Sequence, residues 1–398
     1  MTRQLLIAGG GIGAMGAALA ATRAGWEVRL YEQAQAFSEV GAGLQLGPNA
    51  TRILQAWGLG HALAQVASFP EALVARSSAS GRELGRLPLG KRSEKRYGAP
   101  YATVHRSDLH ALLARAVGSS GGTHIHLNRP VDRFCEVPEG VQLSWADGRI
   151  VEGDALLGAD GVWSGVRAQC LSDGPALPTG HLAYRALVPM ADVPATVRGA
   201  EVTAWLGPKQ HVVSYPVRGG DQLNLIVIVQ AAPPEELQSW DQQALAEDLQ
   251  SALANCCAPL QDLARAAPAW GRWTLCDRPP VAGAHEMARG RVALLGDAAH
   301  PMRPFLAQGA GMALEDAAEL GRCLGSVQNL TLGLPAALGR YAMQRWERVA
   351  RVQARARRNG EVFHATGLER LGRDIALGLL GRGLMDVPWL YGHGRSAQ

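Results

Sequence analysis

The sequence predicts an α/β fold in which a parallel-sheet domain is interrupted by an antiparallel β-sheet domain (an α+β insertion) and followed by a helical C-terminus. Three observations predict it. Residues 1–32 read as strand, glycine turn, helix, strand. Two distant apolar stretches, Leu156–Gly161 and Arg291–Leu295, read as further buried strands, the first returning to the opening sheet. The run His181–Gln230 is β-rich and turns at Gly219-Gly220.

The opening unit justifies a Rossmann-like domain. Gln4 to Ala8 is a short apolar strand, Gly9 to Ala14 a turn, Met15 to Ala24 an alanine-rich helix stopped by Gly25, and Val28 to Tyr31 a second strand with Glu32 at its end. Further along, Asn49–Trp57 reads as a helix, Arg76–Gly98 as an exposed polar hairpin or loop, and Tyr101–Val104 as a strand. Ser107 or Asp108 then caps a helix through Val117. Thr123–Leu157 reads as short strands, Trp240–Asn255 as a helix, and Gly309–Leu324 as a helix with Glu315 and Asp316 near its start. From Pro335 the chain is helical and Arg-rich. The expected domains are 1–70, 100–175 and 277–330 for the nucleotide-binding part. The β-sheet substrate part takes 71–99 and 176–276, and the helical region 331–398.

Composition excludes several classes. The chain has 398 residues, 47% hydrophobic and 19% charged, which is no disordered composition. With 39 basic and 35 acidic residues the net charge is +4, too weak to predict nucleic-acid binding. Six cysteines form no C-x-x-C pair and no zinc spacing, so no metal is expected and the thiols read as reduced, in a cytoplasmic protein. No run of 18 apolar residues predicts a membrane span. The apolar stretch Leu5–Ala21 imitates a secretory signal, but its glycines and the strand that follows favour a folded unit. The Arg-rich segment Arg340–Arg358 reads as a solvated helix face.

The glycine turn carries chemistry. Gly9 permits the tight turn, Gly11 lets backbone approach a pyrophosphate, Gly13 lies within the turn, and Ala14 takes the third, small-residue position. Phosphates would sit on the N–H groups at the helix start, and Glu32 would accept hydrogen bonds from a ribose diol. The motif itself does not choose NAD from FAD.

The segments Leu157–Arg167 and Leu294–Pro301, with the glycine turn and His105-Arg106-Ser107-Asp108-Leu109, resemble the single-component FAD-dependent aromatic hydroxylases related to p-hydroxybenzoate hydroxylase. Taken alone, Asp160 and Asp297 read as turn or cap residues and Arg106 as a surface residue; their joint occurrence decides for the family. The resemblance spans nearly the whole chain and implies an FAD-binding domain. In it Asp297 holds ribityl or ribose hydroxyls, Arg106 reaches the pyrophosphate side, and Asp160 serves FAD and NAD(P)H together. NADH or NADPH would be the co-substrate, with O2 and a small aromatic acid. Relatives are often homodimers; the sequence leaves the oligomeric state open, as it does NADH against NADPH.

The loop Pro304–Met312 leads into a helix, and the N–H groups of Gly309, Ala310, Gly311 and Met312 are expected to stabilise negative charge on a reduced flavin. Glu315 and Asp316 are expected to cap that helix. His211, Val213 and Tyr215 share one face of a strand, with roughly 13 Å between the outer α-carbons, so His211 and Tyr215 are expected to bracket one aromatic ring. A His tuned near neutral pH can accept a phenol proton. This neighbourhood is similar to that of 3-hydroxybenzoate 6-hydroxylases, as are Gly41–Asn49, His364–Leu371 and Trp389–Gly392. Pro304 stands where those enzymes carry a substrate-facing Gln, and His300–Pro304 is closer to 6-hydroxynicotinate 3-monooxygenases and salicylate hydroxylases. Gln45 stands where the nicotinate enzymes carry His. The resemblance therefore implies hydroxylation of a phenolic acid, 3-hydroxybenzoate to gentisate first, with salicylate and 6-hydroxynicotinate as alternatives. A non-oxygenating flavin dehydrogenase or oxidase, or a non-catalytic flavin-binding protein, would share the scaffold.

Overall fold

The computed structural model describes residues 3–37, 42–234, 237, 242–244, 246–329 and 332–394. Gly41 and Trp240, both named above, lie outside them. Two compact units emerge, formed by the described residues of Met1–Glu39, Leu109–Leu177 and Cys276–Ala356, and of Val40–Asp108, Pro178–Leu275 and Arg357–Gln398.

In the first unit a six-stranded sheet runs Ala288–Arg289, Val292–Leu294, Ala155–Gly158, Gln4–Ala8, Glu27–Tyr31, Thr123–His126. Gln4–Ala8 pairs in parallel with both Glu27–Tyr31 and Ala155–Gly158, and the latter with Val292–Leu294. The central strands Gln4–Ala8, Ala155–Gly158 and Val292–Leu294 are near-continuous apolar runs because both faces are covered. Helix Ile12–Arg23 packs tightly on Gly309–Gln328: a Cβ on Gly321 would meet the Ala20 Cβ at 2.7 Å. A small antiparallel sheet, Arg133–Val137, Gly140–Ser144 and Ile150–Gly153, completes this unit.

In the second unit an eight-stranded sheet has at its centre Leu177–Pro189, Gln222–Gln230, Gln210–Val217, Val202–Gly207 and Ala72–Ser77. One face is the core, with Leu182, Tyr184, Trp205, Val212, Leu225 and Val227 packed on Leu260 and Leu263 of helix Ala258–Arg265. Alternation sends His211 and Tyr215 to the opposite face. The helix expected over Trp240–Asn255 is Ala246–Leu253 among the described residues, preceded by the strand Gln242–Gln243. The stretch Arg76–Gly98 is the hairpin expected, Ala72–Ser77 with Glu83–Pro88, but it also contains helix Gly90–Tyr97. Ser93 and Tyr97 bury one side of that helix, and Gly98 ends it in a left-handed conformation, φ +74°.

Two physical features set which segments each unit takes. Strand Gly43–Leu46 pairs with Ala102–His105, which ties 42–46 and 102–105 to the second unit. The C-terminal helices are shared out by their apolar faces. Leu338, Tyr341, Ala342, Val349, Val352 and Ala356 of helix Leu334–Phe363 are buried in the first unit, whereas Phe363, Leu377 and Met385 pack on Ala75, Leu84 and Leu206. No helix among the described residues is long and apolar enough to cross a membrane.

Candidate active site

The glycine turn opens the first unit's site. Gly9 adopts φ +100°, and a Cβ there would lie 2.4 Å from the Ala159 carbonyl oxygen. Only glycine fits. A Cβ on Gly11 would meet nothing within 4 Å, so open space lies over this residue. Gly11 also precedes helix Ile12–Arg23, whose start has no side-chain cap. Close packing falls on Gly13, where a Cβ would meet the Leu295 side chain at 2.6 Å; Ala14 is fully buried. Glu32 accepts from Gly10 N at 2.5 Å and from Ala34 N at 2.8 Å. Its carboxylate has four lone-pair sites, so two remain for a diol.

Asp160 closes its own turn. Oδ1 accepts from Ser164 Oγ at 2.5 Å and Oδ2 from Val166 N at 3.1 Å. Burial raises its carboxyl above the usual range, against the pull of these bonds. Asp297 is exposed on the one-turn helix Gly296–Ala298, and a Cβ on Gly309 would come to 4.0 Å of its Oδ1. The structure thus brings Asp297 to the start of helix Gly309–Gln328, which also lacks a side-chain cap. The N–H groups of Gly309, Ala310 and Gly311 are the orphan donors of this start. Met312 is different: its N–H donates to Gln308 O at 2.8 Å, and its buried sulfur lies 3.7 Å from Arg345 Nη2.

Glu315 and Asp316 do not cap the helix. They stand in its second turn, buried, and grip Arg345 and Arg348 of the next long helix. Arg345 Nε lies 2.7 Å from Asp316 Oδ1 and Nη1 2.8 Å from Glu315 Oε2, while Arg348 Nε lies 2.6 Å from Glu315. Asp316 Oδ2 accepts from His300 Nε2 at 2.6 Å and from Gly296 N at 3.1 Å. Burial alone would raise the Asp316 carboxyl; His300 and Arg345 outweigh it and hold the group down at about 2. The solvated-face reading of Arg340–Arg358 is therefore corrected at Arg345, which is 2% exposed. The sequence did carry a signal: Arg345 falls in the apolar stripe of 338, 341, 342, 349 and 352.

The second unit supplies a different chemistry. Strand Gln210–Val217 pairs so that His211 faces Leu206 and Ile228 across the strands, and Tyr215 faces Asn224. Tyr215 OH donates to Gly43 O at 2.6 Å, and Asn224 Oδ1 accepts from Gly43 N at 2.6 Å. A Cβ on Gly43 would come within 2.6 Å of the Tyr215 ring. Tyr101 OH donates to Gln45 Oε1 at 2.7 Å. Burial pushes the Tyr101 and Tyr215 phenols up.

His211 is buried, its Nδ1 2.7 Å from His364 Nε2, with the Phe363 ring edge-on at 5.3 Å. The near-neutral tuning expected of it is not found. Burial first, then His364 and His181, hold His211 well below the ordinary histidine value. Gln45 is partly buried, whereas Arg106 and Pro304 are exposed; Arg106 donates its backbone N–H to Ala42 O, and Pro304 opens a single helical turn. His181, His364, Asn224 and Tyr101 were not singled out as site residues, since their places depend on pairing between distant segments.

A glycine cradle open to solvent, an acid at the second strand's end and two uncapped helix starts suit the phosphates, ribose and ring edge of a flavin dinucleotide. The chain matches the FAD binding domain family over residues 2–356 and belongs to it; it is an FAD-dependent aromatic monooxygenase. It is 38% identical to the 3-hydroxybenzoate 6-hydroxylase of Polaromonas naphthalenivorans over 98% of this chain and 95% of that one. It is 37% identical to the 6-hydroxynicotinate 3-monooxygenase of Bordetella bronchiseptica, over 88% and 89%. A salicylate hydroxylase solved with its substrate superposes with a TM-score of 0.83 at 26% identity, covering 98% of this chain and 96% of that one.

Proposed function

We propose that this protein hydroxylates 3-hydroxybenzoate to gentisate, using NAD(P)H and O2, and works in the cytoplasm. The observation that carries the reading is the placement of His211 and Tyr215 on one buried face of strand Gln210–Val217, in a chain related end to end to 3-hydroxybenzoate 6-hydroxylases.

FAD supplies the two-electron and oxygen chemistry when bound. The chain's own residues do the rest. Gly9, Gly11, Gly13 and Ala14 would shape the phosphate cradle, Glu32 would take the ribose diol, and Asp297, Asp160 and Arg106 would hold remaining polar groups of FAD. The N–H groups of Gly309, Ala310 and Gly311 would offer donors to negative charge on the flavin. His211 accepts the phenolic proton, which makes the aromatic ring electron-rich. Tyr215 fixes the ring's position by its bulk, its hydroxyl being committed to Gly43. Gln45 and Pro304 set which acid fits. One amide lost at a buried polar contact discriminates by roughly 1–3 kcal/mol, enough to change substrate. Pro304 is the feature that favours salicylate or 6-hydroxynicotinate as the second reading.

The test is a panel of 3-hydroxybenzoate, salicylate and 6-hydroxynicotinate, with NADH and NADPH, scored for stimulated cofactor oxidation and product identity. Gentisate formed stoichiometrically supports the reading. Catechol from salicylate moves it to the second substrate, and peroxide alone makes the protein an oxidase.

A further inference from the structure

His211 has a difficulty as a base. It is 2% exposed and its cationic form is disfavoured, so a proton taken from a phenol cannot rest there. Its neighbours offer a way out. His211 Nδ1 and His364 Nε2 are 2.7 Å apart, a direct hydrogen bond between two imidazoles. The His364 ring lies 5.1 Å from that of His181. His181 Nδ1 is 2.9 Å from Thr179 O and 3.1 Å from Thr179 Oγ1, in a partly exposed stretch. Exposure rises from 2% at His211 to 8% at both His364 and His181.

We infer that His364 is the next proton carrier after His211, taking the phenolic proton across their direct hydrogen bond. The inference rests on His211 being the base proposed above. The transfer uses one of the two tautomer pairs that this hydrogen bond admits. Nδ1–H of His211 donates to His364 Nε2, which puts the His211 lone pair on Nε2. When Nε2 takes the phenolic proton, the phenol O–H bond breaks and an N–H bond forms. The Nδ1 proton then crosses to His364, and no electron pair leaves the nitrogens. The proton then rests on the His364 imidazolium, beside the ring of His181. Reprotonation of the product phenolate along the same chain restores the starting tautomers.

The groups bearing on His211 are consistent with a relay. The strand Leu177–Pro189 contributes His181, and the residue after helix Leu334–Phe363 is His364; both titrate. The cross-strand neighbours Leu206 and Ile228, and Phe363, do not. His364 also has a structural role, because its carbonyl accepts from Lys209 N at 3.1 Å. That bond uses backbone and survives any side-chain change.

The experiment uses the FAD-loaded enzyme with His364→Gln and His211→Gln. The amide of Gln keeps a hydrogen bond to His211 but transfers no proton. Phenolate formation from 3-hydroxybenzoate is followed by its ultraviolet absorbance after rapid mixing, across pH, with substrate affinity and flavin reduction as controls. In His364→Gln, affinity and reduction stay within about twofold, while phenolate formation slows by at least about tenfold and loses its pH dependence. The curved dependence on deuterium content in the wild type becomes linear. Imidazole added to His364→Ala restores part of the rate. A wild-type deprotonation rate in His364→Gln, with a slow His211→Gln, overturns the relay and leaves His211 as the base. A wild-type rate in His211→Gln overturns both.

Discussion

Asp316 binds His300 through the same carboxylate oxygen that accepts the N–H of Gly296, at 2.6 Å and 3.1 Å. One buried carboxylate thus pins both sides of Asp297. The grip is electrostatic, since Arg345 neutralises the other oxygen.

Asp316→Asn should therefore cost roughly 3–5 kcal/mol, the usual result of removing one partner from a buried pair. It should also weaken FAD. Urea unfolding and a flavin fluorescence titration measure the two effects. The pH dependence has a defined sign. Asp316 is held at about 2 against an ordinary 3.8, so the unfolded chain takes up the proton first. Its stabilisation is complete above about 4 and disappears as pH falls through about 2, a loss on the order of 2 kcal/mol.

Two glycines of one turn should behave oppositely. Gly9→Ala combines a positive φ with a backbone collision, so the apoprotein should unfold at markedly lower urea. Gly11→Ala meets no protein atom within 4 Å and has φ −73°, so the apoprotein should keep its stability within about 0.5 kcal/mol. Its added methyl enters the space assigned to the pyrophosphate, so FAD affinity should fall by at least about tenfold. Equal effects of the two substitutions would contradict this division of roles.

Gly43→Ala should disturb substrate binding from the second unit. The new Cβ would strike the Tyr215 ring and Asn224 at 2.6 and 2.8 Å. Overpacking of this kind costs roughly 1–3 kcal/mol. Substrate affinity should drop, since Tyr215 must turn, while flavin content stays at the wild-type level in absorbance.

His211 also marks the acid limit of the fold. Below pH 6.5 a histidine in the unfolded chain takes a proton that buried His211 refuses. The unfolded state then binds more protons, so stability declines on acidification from about 6.5 downward, by up to about 1.4 kcal/mol per pH unit. His211→Asn should flatten the dependence of Tm on pH between 6.5 and 5. His211→Ala should keep FAD and hydroxylate at least about a hundredfold more slowly.

Legibility from sequence followed locality. The strand Gln4–Ala8, the glycine turn, and the strands Ala155–Gly158 and Val292–Leu294 were readable because apolar runs and glycines act over a few residues. So was the shared face of His211 and Tyr215, which needs only a two-residue period. Helix Gly90–Tyr97 was missed because its composition is polar and one side is buried by tertiary packing. The ion pairs of Arg345 reach back about thirty residues, and the depressed basicity of His211 comes first from burial and then from His364, 153 positions away, and His181. No local pattern encodes either.

The interleaving of the chain has a consequence for biosynthesis. Gln4–Ala8 needs Ala155–Gly158 as a neighbour, and that strand in turn needs Val292–Leu294. The sheet that the earliest strand opens cannot be completed until nearly three-quarters of the polypeptide has been translated. Newly made chains therefore expose unpaired apolar edges for an extended interval, and chaperone supply should limit the yield of this protein more than its final stability does.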